Sequence, residues 1–297
     1  MGTPPAAARF GQVDRNRPIW LVTNASSGSN DDAARDALLD CCVSSGLTVA
    51  RQSKLPDQEL PTPSQLQQAG IEEVVVYAGD GTTNALITAL AGWDGAVLVL
   101  PGGTKNLLFH RLHGEQPLED VVAQFVAGRA QRVRPGVIHH MQGIAYAELL
   151  GGPGATWGRV REAMRDAAIT EIAGATAEAM NETLAGQMVA CAEPRLGRPE
   201  GYPLVALRAR DEGLEVVAYY AEDAGEFLEQ AWAMVTRNFR EGPHEVLGLA
   251  REVHLASEGG GPIELLIDGE QVQTASPAQF RLAPCEVDLV ATAYDDT

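Results

Sequence analysis

Asp80 stands between Gly79 and Gly81, and Thr82, Thr83 and Asn84 follow it. One carboxylate set among glycines and small hydrogen-bonding side chains suits the handling of phosphate. Glycines let a backbone approach a ligand closely. The N–H groups at the start of a following helix favour negative charge. Asp80 cannot itself hold a phosphate, but it can hold a Mg²⁺ ion that does, or orient a hydroxyl nucleophile. The same run also reads as a plain strand-to-helix turn in which Asp80 accepts from local N–H groups. Asn84 then either donates to a phosphate or caps the turn.

A second run of this character is Pro101-Gly102-Gly103-Thr104-Lys105-Asn106. Thr104 and Asn106 are small donors suited to a nucleotide. Lys105 is either a point charge for phosphate or a solvated side chain at a helix start. A third, weaker run holds Asn24, Ser27 and Gly28, and alone it is an ordinary turn. Late in the chain comes Asp268-Gly269-Glu270 after an apolar stretch. Asp-Gly is a hairpin signal, so these residues read either as a hairpin with two exposed acids or as a general base, Glu270, facing a phosphate crevice.

The elements that must position these residues are legible as patterns. Apolar runs at Ile19–Thr23, Leu47–Ala50, Glu73–Tyr77 and Ala96–Leu100 predict strands, the third and fourth bearing the two glycine runs at their ends. Helical spacing is expected over 31–45, 64–68, 83–91, 106–112 and 117–126. Strand–helix alternation with continuous apolar strands predicts a doubly wound, mostly parallel sheet over residues 18–135, where ligands sit beyond the carboxyl ends of the strands. From 136 to 297 the pattern changes. Period-two runs at 214–220, 263–267 and 287–291 predict an antiparallel β-sandwich with an added amphipathic helix over 157–179. Residues 1–17 read as a flexible leader.

Bulk properties narrow the function classes. Across 297 residues the hydrophobic share is 45% and the net charge is −18. The first supports packed cores, and the second argues against a nucleic-acid partner and against electrostatic docking on anionic lipid. Cys41, Cys42, Cys191 and Cys285 lack metal-ligand spacing. Adjacent His139 and His140 would point to opposite faces of a strand, against joint ligation. The leader lacks a signal-peptide apolar core, and no apolar run reaches membrane-spanning length, so a cytoplasmic protein is expected. No Gly-x-x-x-x-Gly-Lys-Ser/Thr run exists, which excludes a P-loop.

On these residues the chain resembles the diacylglycerol kinase catalytic family, which includes bacterial lipid kinases and sphingosine kinases and is more distantly related to the NAD kinases. Asn24-Ala25-Ser26-Ser27-Gly28 matches that family's Asn-Pro-x-Ser-Gly. Ala78-Gly79-Asp80-Gly81-Thr82-Thr83-Asn84-Ala85 matches its Gly-Gly-Asp-Gly-Thr-x-Asn-Glu, and Pro101 to Asn106 its Pro-x-Gly-Thr-x-Asn. Asp268-Gly269-Glu270 matches its late Asp-Gly-Glu. The resemblance implies an NAD-kinase-like α/β nucleotide domain, then a β-sandwich lipid domain, with the active site between them. It implies ATP with Mg²⁺ bound through Asn24, Ser27, Gly28, Ala78–Asn84, Gly103, Thr104 and Asn106. It implies Asp80 as the metal or substrate organiser and Glu270 as the base for a lipid hydroxyl.

The implied partners are a lipid substrate with a free hydroxyl and transient contact with a membrane surface, without nucleic acid; a homodimer stays open beside a monomer. The chain departs from the pattern at Ala25, Ala78, Ala85 and Leu107, and the last two remove carboxylates. These departures keep a catalytically weak or inactive lipid or nucleotide sensor open as the alternative. An NAD kinase is disfavoured because no Gly-Ser-Thr-Ala segment is present.

Overall fold

The computed structural model describes residues 8–9, 18–26, 32–156, 187–219 and 244–294. The chain divides into two units, 1–135 with 284–297, and 136–283. The first unit opens with β1 (Ala8–Arg9), β2 (Pro18–Asn24), α1 (Asp32–Ser44) and β3 (Thr48–Leu55). It continues through α2 (Pro63–Ala69), β4 (Glu73–Ala78), α3 (Asp80–Ala89) and β5 (Ala96–Pro101). Helices α4 (Leu107–His113) and α5 (Leu118–Val126) and strand β6 (Gln131–Val133) follow.

Local chemistry explains these elements. Every residue of β4 is buried, because the strand lies between β2 and β5 and is covered on both faces. Strand β3 reaches Leu55, five residues beyond the apolar run that predicts it. It is the sheet's edge, so Arg51, Gln52 and Lys54 can be polar without cost. Helix α2 begins with a reciprocal capping box of Thr62 and Gln65, carries Pro63 in its first turn, and ends at Gly70 with φ 64°. Helix α5 turns Val121, Val122 and Phe125 inward and Glu119 and Asp120 outward.

The second unit is all β among the described residues, apart from short 3-10 turns. It contains β7 (Gly136–His140), β8 (Gly143–Ala145), β9 (Leu149–Gly151), β10 (Val189–Glu193), β11 (Leu204–Ala209) and β12 (Leu214–Tyr219). Then come β13 (His244–Ala250), β14 (Glu252–Ser257), β15 (Ile263–Ile267), β16 (Glu270–Thr274) and β17 (Ala278–Pro284). Two antiparallel sheets result, ordered β10-β14-β17-β7-β8 and β13-β12-β11-β9-β15-β16. Val205, Leu207 and Val216 of one sheet share a core with Ile138, Leu255 and Phe280 of the other. Each such buried side chain contributes about 2 kcal/mol. A second cluster holds Leu150, Leu204, Ala206, Val217 and Tyr219, which alternate with these on the six-stranded sheet, together with Ala155 of the turn after β9.

The expected class, a doubly wound parallel-rich sheet followed by an antiparallel sandwich, is what the structure shows. The helix expected over 157–179 lies outside the described residues. Two details differ from expectation. Where the second domain was expected to run to 297, β18 (Asp288–Ala291) returns to the first sheet, parallel to β5 and antiparallel to β6. Its apolar run, Val287 to Ala291, marks a strand but carries no information on which sheet it joins. Within the expected leader, Ala8–Arg9 pairs antiparallel with β6.

Candidate phosphate-binding site

The first sheet runs β1-β6-β18-β5-β4-β2-β3. Strands β3, β2, β4 and β5 are mutually parallel. The chain leaves β2 towards β3 and leaves β4 towards β5, in opposite directions. Right-handed crossovers then put α1 on one face and α2 and α3 on the other. Neighbouring strands whose connections diverge leave a crevice at their carboxyl ends, the usual ligand position in such sheets. Asn24 ends β2 and Asp80 follows the end of β4, so two of the three expected loops flank that crevice.

Hydrogen bonds tie the loops together. Asn24 Nδ2 donates to Thr82 Oγ1 at 2.8 Å, and Asn24 Oδ1 accepts from the Ser26 N–H at 2.9 Å. Asn24 therefore shapes its own turn and anchors the start of α3. Ser27 and Gly28 lie outside the described residues.

Helix α3 begins at Asp80, three residues before its expected start at Thr83. The glycine run is thus a helix's first turn rather than a loop. Gly79 has φ −75° and ψ 169°, extended backbone open to any residue, so the positive φ that the glycines permit is not what they provide. They provide space. A Cβ on Gly103 would stand 2.5 Å from the Gly79 Cα, and one on Gly102 would stand 2.6 Å from the Ala78 N. The Gly102 N–H donates to the Ala78 carbonyl at 3.2 Å. The second glycine run therefore packs backbone against backbone on the β4–α3 junction. Gly102, absent from the expected ligand set, is the residue that permits this. Adjacent glycines just after a strand neighbouring β4 were the available signal.

The N-cap of α3 is Gly79, which has no side chain of its own to cap the helix. Its first turn carries exposed Gly81 and half-buried Thr82, while Thr83 turns into the core. Asn84 is half-buried on the same helix. Asp80 is half-buried, and its Oδ1 accepts from the Leu108 N–H of α4 at 3.4 Å. One carboxylate thereby meets the positive ends of two helices. Asn106, at φ 50°, accepts from the Gly103 N–H at 2.8 Å and donates to the Gly103 carbonyl at 3.0 Å. Its side chain clasps its own loop, and Thr104 is left exposed at the loop's tip with Lys105 half-buried beside it. The departures are also placed. Ala78 is 2% exposed at the end of β4, with its methyl in the core, and Ala85 lies on the outer surface of α3.

Glu270 belongs to the second unit. It is exposed, opens β16 and pairs with Ile267. Its neighbour Asp268 contradicts the reading of two exposed acids. Asp268 is 5% exposed, and its carboxylate accepts from the N–H groups of Tyr146, Ala147 and Glu148 at 2.7, 2.9 and 2.9 Å. Those donors lie about 120 residues earlier, which no local pattern reveals.

Burial governs the remaining titratable groups near α4 and α1. His113 is fully buried with Nδ1 2.9 Å from Thr292 Oγ1, and burial lowers its pKa to about 4, partly offset by the Val99 backbone. Burial pushes the Cys42 and Cys285 thiols up to about 11, and all four cysteines are free. Such thiols are poor nucleophiles and poor metal ligands. Among the described residues no cluster of His, Cys, Asp or Glu is arranged to hold a metal alone.

Comparison with known proteins meets this geometry at the same residues. Residues 18–138 match the diacylglycerol kinase catalytic domain. The resemblance carried by the motifs is thus shown for the domain that bears the crevice, and the family is one of lipid kinases. No curated protein gives a significant match. Among solved structures, a diacylglycerol kinase from Bacillus anthracis str. Sterne aligns with TM-score 0.58 at 13% identity, covering 93% of this chain and 97% of its own. A second structure from that strain, proposed to be such a kinase, aligns with TM-score 0.59 at 15% identity over the same shares. At these identities the likeness shows a shared fold across both units. No described helix is long and apolar enough to cross a membrane.

Proposed function

We propose that this protein is an ATP-dependent lipid kinase that transfers the γ-phosphoryl group to a hydroxyl of a diacylglycerol-like or sphingoid lipid. The observation that carries the reading is the start of α3, bearing Asp80, set at the sheet's switch point and braced by Asn24 and by the Gly102–Gly103 backbone. The residues present fit a magnesium–nucleotide. The N–H groups of the first turn of α3 and the Thr104 hydroxyl would take phosphate oxygens, and Asp80 would hold the cation that neutralises them. Bound Mg²⁺ supplies charge stabilisation for the transferring group.

The chain's own residues then have separate duties. The α3 turn orients the triphosphate. Asp80 keeps negative charge beside a site that would otherwise attract any anion, so selectivity falls to a nucleotide carrying its metal. Glu270 accepts the hydroxyl proton of the lipid at a carboxylate oxygen. Buried Ala78 supports an intact loop, since its extra methyl is absorbed by the core. The net charge of −18 opposes standing attachment to anionic lipid and favours transient contact with a membrane surface by a protein working from the cytoplasm.

The test is ATP consumption with a panel of hydroxyl lipids, comparing the wild type with Asp80→Ala and Glu270→Ala. Each substitution is expected to lower turnover at least about 100-fold. Equal rates in all three proteins would refute the assignment.

A further inference from the structure

Asp268 is buried where a hairpin asks for no buried charge. The Asp268-Gly269 turn has φ 48° and 94°, two left-handed residues, the geometry of a tight two-residue hairpin. Any Asp, Asn or Gly serves such a turn with its side chain in water. A carboxylate taken out of water costs several kcal/mol unless hydrogen bonds compensate. Here Oδ2 accepts from Tyr146 N–H, and Oδ1 accepts from both Ala147 and Glu148 N–H. The Asp268 N–H in turn donates to the Glu148 carbonyl at 3.0 Å. Turn and segment 146–148 are clasped from both sides.

The clasped segment is itself anchored. The Glu148 carboxylate lies 3.5 Å from Arg208 Nε, and Arg208 Nη2 donates to the Tyr219 hydroxyl at 2.9 Å. Arg208 also lies 3.8 Å from Glu215, which pairs with Arg210 at 3.1 Å. Burial opposes the Arg208 charge, but Tyr219, Glu148 and Glu215 outweigh it and raise its pKa. The network ties the segment to β11 and β12. In the sheet, Glu270 stands opposite Ile267, and Ile267 stands opposite Leu149. The row that carries Glu270 thus begins one residue beyond Glu148.

We propose that Asp268 is a positioning residue for Glu270, fixing the backbone from which the Glu270 carboxylate reaches the lipid hydroxyl. This rests on the reading of Glu270 as the base. A long exposed side chain is productive only if its backbone is held, since a displacement of about 1 Å costs on the order of 100-fold in rate. The clasp supplies that fixity through bonds that Glu270 itself does not make.

Asp268→Asn and Asp268→Gly both suit a left-handed turn and remove the charge. Both are expected to lower kcat at least about tenfold with the KM for ATP within about twofold, because the phosphate loops lie in the other unit. Amide exchange at Tyr146–Glu148 should rise in both. In a Glu270→Gln background the added Asp268→Asn should change residual turnover less than about twofold, the signature of action through one group. Unchanged kcat in the folded variants overturns the proposal. So does an equal loss in both backgrounds, or failure of both variants to fold, which would make the role purely structural. Wild-type turnover in Glu270→Gln alone would instead remove the base, a different failure.

Discussion

Asp80-Gly81 opens a helix, and Asp268-Gly269 turns a hairpin. In sequence the two pairs are the same dipeptide after an apolar strand. The Asp80 carboxylate is half-buried, and its bond from Leu108 is long, 3.4 Å. The Asp268 carboxylate is 5% exposed and takes three backbone donors at 2.7–2.9 Å. What separates them is burial. A buried carboxylate held by three backbone donors fixes the chain around it, whereas one at a helix start within reach of solvent can take a cation. The contrast assigns the holding of a backbone to one acid and the holding of a cation to the other.

The widest break in that contrast comes from exchanging each acid for alanine. Asp268→Ala leaves three backbone donors, one buried and two part-buried, without this acceptor and is expected to destabilise the second unit by about 3 kcal/mol. Asp80→Ala should stay within about 1 kcal/mol of the wild type in urea unfolding while losing turnover. Comparable losses of stability would erase the distinction.

Acid should act on the first unit through His113. Its folded pKa, about 4, lies below the ordinary 6.5. The unfolded chain therefore binds the extra proton first as pH falls, so this contribution is complete above pH 6.5 and is lost on descent to about 4. The loss amounts to about 3 kcal/mol. His113→Gln should flatten the slope of stability between those limits, as read by chemical unfolding at several pH values. A smaller effect tests the brace behind Asp80. Gly103→Ala puts a methyl against the Gly79 Cα and should cost about 2 kcal/mol, with weaker nucleotide binding in calorimetry. Unchanged stability would mean the two loops do not pack as described.

These contrasts were unevenly legible in the sequence. Val74–Val76 declare a doubly covered strand, and the period-two runs at 214–219 and 263–267 declare the sandwich. The crevice was legible because three strands end in polar turns. The start of α3 was not, since glycines are poor helix formers and the first turn tolerates them without any change of periodicity. Edge strand β3 was cut short because its exposed polar residues look like loop. The fate of β18 and the burial of Asp268 depend on partners far along the chain, and a local pattern holds no trace of either.

If Asp80 carries a metal-bound nucleotide at the start of α3, its loss removes the metal's effect on binding. Calorimetric titration of ATP into the wild type and Asp80→Ala, each with and without Mg²⁺, tests it directly. Wild-type binding should strengthen at least about tenfold with Mg²⁺, and Asp80→Ala should bind ATP equally well with or without the metal. Identical metal dependence in the two proteins would exclude a metal at Asp80.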